Sequence, residues 1–167
     1  DDVALYHKEP ARKLVKGESV IYEGKMIHQF DAGFAARTFH AEDKAVRAEL
    51  LRKELYRLGQ FIREKEAEKV EGKKVPTKKD EFDEFLADLW KAKKFQLDCD
   101  FERVVFRRVG SSTNERTIIA TLLPAGVYLS DTVSYLIPAN YALTRAGKLS
   151  QEPLSAEETR SLLCLLN

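Results

Sequence analysis

Two short stretches of this chain hold the side chains with the widest chemical reach. The first, Tyr22-Glu23-Gly24-Lys25-Met26-Ile27-His28-Gln29-Phe30-Asp31, sets a glycine turn, a cation, an imidazole and an amide beside aromatic anchors. Lys25 can pair with a phosphate as a point charge, and Gln29 carries a two-sided amide able to hold an adenine edge bidentately. His28 stands next to that amide. A purely structural role fits as well, because a single histidine among Met, Ile and Phe is commonly a satisfied interior side chain.

The second stretch, Phe106-Arg107-Arg108-Val109-Gly110-Ser111-Ser112-Thr113-Asn114-Glu115-Arg116-Thr117, lies between two apolar runs with strand character. Arg107, Arg108, Ser111, Ser112, Thr113, Asn114, Arg116 and Thr117 supply the guanidinium, hydroxyl and amide donors that contact phosphates or base edges, Arg suiting guanine and Asn adenine. An ordinary hairpin turn accounts for the same composition. Ser, Thr and Asn favour turns for local hydrogen-bonding reasons, and Glu115 can pair with any of the three arginines.

Other candidate chemistry is sparser. Asp98, Asp100 and Glu102 could hold magnesium for a nuclease, but they are expected to alternate along a strand that precedes Arg103 and to form a solvated face. His7, His28 and His40 lack zinc-ligand spacing. Cys99 and Cys164, the only cysteines, are far apart and form neither a metal knuckle nor a redox pair; buried, reduced thiols of a cytoplasmic protein are expected. The glycines are isolated, so no dinucleotide or phosphate-loop fingerprint exists.

The elements that must position these groups follow from periodicity. Val3 to Phe39 is broken by Pro10, Gly17, Gly24 and Gly33 and reads as short strands and turns. From Glu42 onward Leu51, Leu55, Leu58 and Ile62 recur at helical spacing with charged residues opposite, which predicts a long amphipathic helix. Glu66 to Lys79 reads as a charged, mobile loop. A second helix follows with Thr77 or Asp80 as cap and Phe82, Phe85, Leu86, Leu89 and Trp90 on one side, completing a helical hairpin. Phe101 to Val109, Thr117 to Leu123 and Val127 to Leu136 read as antiparallel strands, and Pro138 to Pro153 as a loop. Ser155 and Glu158 form a capping box before a C-terminal helix.

The 167 residues are 44% hydrophobic and 33% charged, the composition of one globular domain with a sizeable core. Twenty-eight basic residues against 27 acidic ones leave a net charge of +1, so any cationic surface must be local. No apolar run approaches the roughly 18 residues of a membrane span, and no membrane partner is expected. The abrupt opening at Asp1 and the apolar run Leu162 to Leu166 at the other end suggest a piece of a longer polypeptide.

Three segments together resemble the C-terminal half of adenine-specific DNA methylases of the type IIG restriction-modification class and of the BREX and DISARM phage-defence systems. They are Tyr22 to Asp31, Phe106 to Pro124 (FRRVGSSTNERTIIATLLP) and Leu162 to Asn167 (LLCLLN). In that family an LYEGKMIHQFDHRF segment follows the catalytic domain, then an R…STNERT…IAALLP segment, then LLALLNS opening a helix of the specificity region. The order is the same here. This chain departs at Ala32-Gly33, where the family has an aromatic or basic pair, and the stretch from about 42 to 94 is weakly matched, as a helical hairpin insertion would be. The family's Asn-Pro-Pro-Tyr-type catalytic tetrapeptide and its S-adenosylmethionine-binding glycine motif are not found here.

The resemblance implies an α+β target-recognition domain or fragment spanning 1–167, a small antiparallel sheet with a long helical hairpin and a C-terminal helix. It would read double-stranded DNA through Lys25, His28, Gln29, Arg107, Arg108, Ser111, Ser112, Thr113, Asn114, Arg116 and Thr117. It would itself bind neither cofactor nor metal, and S-adenosylmethionine would belong to the catalytic methyltransferase domain of the parent enzyme. The alternatives are an interaction module docking another defence-complex subunit through the helical hairpin, and a nuclease built on Asp98, Asp100 and Glu102.

Overall fold

The computed structural model describes residues 6–8, 16–35, 39–108 and 118–166. In chain order they form β1 (Tyr6–Lys8), β2 (Glu18–Tyr22), β3 (Phe39–Glu42), α1 (Asp43–Glu64), β4 (Lys69–Val70), β5 (Lys73–Lys74) and α2 (Lys79–Lys93). There follow β6 (Arg103–Arg107), β7 (Ala120–Leu123), β8 (Tyr128–Leu129), β9 (Val133–Tyr135), β10 (Ala139–Leu143), β11 (Leu149–Pro153) and α3 (Ala156–Leu166). The fold is α+β, as expected. It divides into two compact units: Asp1–Val46, Asp98–Pro138 and Leu154–Asn167 make the first, Arg47–Leu97 and Ala139–Pro153 the second. The helical stretch is therefore grouped with a later segment of chain.

The first unit contains a four-stranded sheet in the order β1-β3-β2-β8 and a three-stranded sheet in the order β7-β6-β9. One pair departs from the expected antiparallel pattern: β8 runs parallel to β2, with Ile21 opposite Tyr128. The stretch expected as one strand, Val127 to Leu136, is split because Ser130 to Thr132 turns the chain, Val133 N–H donating to the Ser130 carbonyl at 3.2 Å. Its first half joins one sheet and its second half the other.

Strand alternation explains how β6 serves two packing layers. Val105 enters a cluster with Val20, Tyr22, Met26, Ile27, Leu123 and Val133, drawn from both sheets. Val104 on the opposite face packs with Ala120 and Leu163, joined by Phe106, Leu162 and Leu166, so α3 covers that side. The capping box of α3 forms as expected: Ser155 N–H donates to Glu158 Oε2 at 2.8 Å, and Glu158 N–H to Ser155 Oγ at 3.2 Å. Cys99 is buried but Cys164 is exposed, both being free thiols, because Cys164 is turned about 100° from Leu163 on the same helix.

The second unit is built on the predicted helical hairpin. α2 buries Phe82, Phe85, Leu86, Leu89 and Trp90, each worth about 2 kcal/mol relative to exposure. Neither expected cap is used. Lys78 occupies the N-cap without a side-chain bond, its ammonium pairing instead with Glu81 at 3.1 Å. α1 buries Leu58, Gly59 and Ile62 but also Glu54, while Leu51 and Leu55 are half-buried. Gly59 sets the closeness of the helices, since a Cβ there would lie 2.9 Å from Leu86 Cδ1 and 3.1 Å from the Phe82 ring.

Two stretches expected as loops are hairpins. Within Glu66 to Lys79, β4 pairs with β5 around a Glu71-Gly72 turn whose φ values are 51° and 75°, and Val70 is fully buried beneath it. Pro138 to Pro153 contains β10 paired with β11, Tyr141 opposite Gln151. The two hairpins interlock through Glu71, whose N–H donates to the Gly147 carbonyl at 2.8 Å and whose carboxylate accepts the Leu149 N–H at 2.7 Å.

Candidate nucleic-acid interface

The first motif begins where β2 ends. Tyr22 is buried, and the chain then makes a single 3-10 turn over Gly24–Met26, closed by the Met26 N–H to the Glu23 carbonyl at 2.9 Å. Met26 and Ile27 are completely buried, which anchors the turn and forces Lys25 and His28 outward. The Lys25 side chain is 55% exposed, lies 2.8 Å from the Glu23 carboxylate and passes 5.6 Å from the Phe39 ring. The Gly24 N–H donates to Thr132 Oγ1 at 2.9 Å, tying the turn to the β8–β9 connection.

A tight reversal follows. His28 and Asp31 exchange backbone bonds of 2.7 and 2.9 Å, leaving Gln29 and Phe30 at the tip. Phe30 has a φ of 58°, and its N–H donates to the Ala120 carbonyl of β7 at 3.0 Å. Asp31 Oδ1 accepts the Gly33 N–H at 2.7 Å. The His28 imidazole stacks on Phe34 with ring centres 4.7 Å apart, and Phe30 and Phe34 are 59% and 57% exposed. Gln29 is half-buried.

The second motif begins at the end of β6 and meets the first. The Arg107 guanidinium donates to the Ile27 carbonyl through Nε at 3.0 Å and through Nη2, so it holds the first motif in place instead of facing outward. Arg108 is exposed; its N–H donates to the Thr132 carbonyl and its Nη1 to the Asp131 carbonyl, both at 3.0 Å. Lys25, His28, Gln29, Arg107 and Arg108 are thus brought together. Ser111, Ser112, Thr113, Asn114, Arg116 and Thr117 lie outside the described residues.

Chemically, the assembly offers an ammonium and a guanidinium for phosphates, an amide for a base edge, and open aromatic faces for stacking. Glu23, Asp31 and Asp131 lie among these cations. Residue types predict the cations and the amide but cast Phe30 as an anchor like Tyr22. Its exposure comes from a backbone conformation that no residue type there announces. Nothing in the sequence points to Thr132, which fixes Gly24, because the two lie 108 residues apart in the chain.

The nuclease alternative has a different geometry from the one expected. Asp98 and Asp100 sit on a 3-10 turn, not a strand; Asp98 is buried and accepts the Tyr135 hydroxyl at 3.0 Å. Beside them the buried Arg103 donates to the carbonyls of Val127, Phe101 and Asp98 at 2.8, 3.4 and 3.5 Å. Burial pushes its pKa down, with Cys99, Tyr135, Asp98 and Asp100 acting against that shift. Among the described residues no three His, Cys, Asp or Glu side chains are grouped to hold a metal ion.

In the second unit, α1 and α2 flank a groove of about 520 Å³ with Leu55, Tyr56, Phe82 and Leu86 along it and Arg52, Arg63, Lys79 and Asp83 at its edges. Tyr56 is 69% exposed, and the Arg63 guanidinium lies 4.5 Å over the Phe82 ring. No described helix is long and apolar enough to cross a membrane. Searched against family models, curated proteins and solved structures, the chain matches none of them.

Proposed function

We propose that this chain reads double-stranded DNA, as the target-recognition part of an S-adenosylmethionine-dependent adenine-N6 DNA methyltransferase of a restriction-modification or phage-defence system. The observation that carries the reading is the meeting of the two motifs: Arg107 bonded to the Ile27 carbonyl, with Lys25, His28 and Arg108 exposed around that junction. Lys25 and Arg108 contact phosphates and set the register. Gln29 reads an adenine edge, together with Asn114 and Arg116 of the second motif. Flipping and methylating the adenine, and binding the cofactor, fall to the catalytic domain of the same polypeptide.

The test is duplex binding by the full chain across a salt series. Every cation withdrawn from a phosphate makes the slope of log affinity against log salt shallower by about 0.9, so a Lys25→Ala, Arg108→Ala double variant should differ by roughly 2. An affinity indifferent to salt, or no duplex binding at all, overturns the reading.

A second reading, an interaction module for another defence-complex subunit, is favoured by the exposed Tyr56 and the α1–α2 groove. It requires Tyr56→Glu to abolish co-purification with a co-encoded subunit while leaving duplex affinity unchanged; retained co-purification removes it.

A further inference from the structure

Four described residues other than glycine have left-handed backbone: Phe30, Glu66, Glu71 and Lys94. Lys94 caps α2, Glu66 turns the chain just past the end of α1 with its N–H donating to the Arg63 carbonyl at 3.0 Å, and Glu71 shares a hairpin turn with Gly72, roles in which the conformation itself is what the fold requires. Phe30 differs from these three. A bulky aromatic side chain is a poor occupant of this region, where glycine or asparagine sits with less strain. Phe30 as a whole is 59% exposed, so burial offsets little of that strain. Stability does not explain a phenyl ring here.

What the turn does is hold the ring outward on a fixed backbone. The paired bonds between His28 and Asp31 and the Phe30 N–H to Ala120 brace it from both sides. The stacked His28 and Phe34 extend the open aromatic surface, and Lys25 and Arg108 are exposed cations of the same two motifs. Aromatic faces next to ammonium and guanidinium groups match a base next to its phosphates. We infer that Phe30 is a wedge that stacks on a nucleobase unstacked from the double helix, with the His28–Phe34 pair supporting a neighbouring base. The inference rests on the DNA-reading function proposed above and names the form of DNA recognised, a duplex opened at one step.

The experiment uses the full chain and two labelled duplexes of one sequence, fully paired and with a single mismatch. The unchanged chain is expected to favour the mismatched duplex, where unstacking is easier. Phe30→Gly should bind that duplex about tenfold more weakly, keep its salt slope, and melt at an equal or higher temperature because glycine accepts the backbone. Phe30→Trp should retain the preference, and its indole emission should be quenched by DNA; the buried Trp90 is the chain's one native tryptophan, so its signal can be subtracted.

If Phe30→Gly binds both duplexes as the unchanged chain does, or if the indole of Phe30→Trp is indifferent to bound DNA, the wedge is wrong and the turn is left as a protein-docking surface. A lower melting temperature for Phe30→Gly makes the ring structural and overturns the wedge too. Absence of salt-dependent DNA binding by the unchanged chain is a separate result that removes the underlying function as well.

Discussion

The two compact units hold their cations in opposite ways. In the second, basic side chains are matched to carboxylates: Arg52 with Glu49 at 2.7 Å, Arg57 with Glu54 at 2.7 Å, Lys78 with Glu81 at 3.1 Å and Lys93 with Glu71 at 3.0 Å. In the first, Arg107 and Arg108 donate to main-chain carbonyls. A carboxylate cancels the charge it binds, whereas a carbonyl satisfies the donors and leaves the positive charge standing. The lesson is that net charge is a poor guide to where a chain of +1 carries its field. Lys25, paired with Glu23, is an exception within the first unit.

The comparison can be broken most forcefully at Arg57. Glu54 is buried, and its carboxylate also accepts the Tyr141 hydroxyl at 3.2 Å; burial, with Glu54 beside it, pushes the Tyr141 phenol up, so that hydroxyl remains a donor. Arg57→Ala strands the carboxylate and should cost about 3 kcal/mol, seen as a shift in denaturant midpoint. If the cost is under about 0.5 kcal/mol, the range of exposed pairs, the second unit's pairing is surface decoration.

Arg107→Ala comes next, at about 2 kcal/mol, because it removes a charged donor from the carbonyl of the buried Ile27. Arg107→Lys should recover only part of that stability, since an ammonium cannot reproduce the fork. Full recovery by lysine would mean that charge alone matters at this position.

The smallest effect sharpens the contrast through pH. The Leu149 N–H, then the Lys93 ammonium, hold the Glu71 carboxyl below its usual value. Its contribution is therefore complete above the unfolded carboxylate pKa and is lost as pH falls through the lowered folded value. Melting temperature followed between about pH 5 and 2 should drop less steeply for Glu71→Gln than for the unchanged chain. Identical acid limbs would show that Glu71 contributes nothing through ionisation.

These contrasts also mark what sequence alone can show. Glu49 with Arg52, and Glu54 with Arg57, are spaced three apart on a helix and can be read as pairs. The α2 core face and the Ser155–Glu158 capping box are equally local. A carbonyl acceptor has no residue identity, so nothing at Ile27 announces Arg107, which lies 80 positions away. The burial of Glu54 depends on Tyr141, 87 positions off. The β10–β11 hairpin reads as a loop in sequence because Asn140, Ser150 and Gln151 dilute its alternation, and Gly147, at a φ of 76°, resembles loop glycine until its partner strand is seen.

The parallel β2–β8 pair has a kinetic consequence. Ile21 and Tyr128 can meet only after the intervening chain, which contains all of α1 and α2, has been gathered in, and the Gly24 bond to Thr132 waits on the same closure. Contacts of such high order form late. During refolding, amide protons of α1 should gain protection from exchange before those of Gly24 and Phe30; the reverse order would mean that the His28–Asp31 turn assembles by a route independent of that closure. A nascent chain would meanwhile leave Met26 and Ile27 open to solvent and to chaperones.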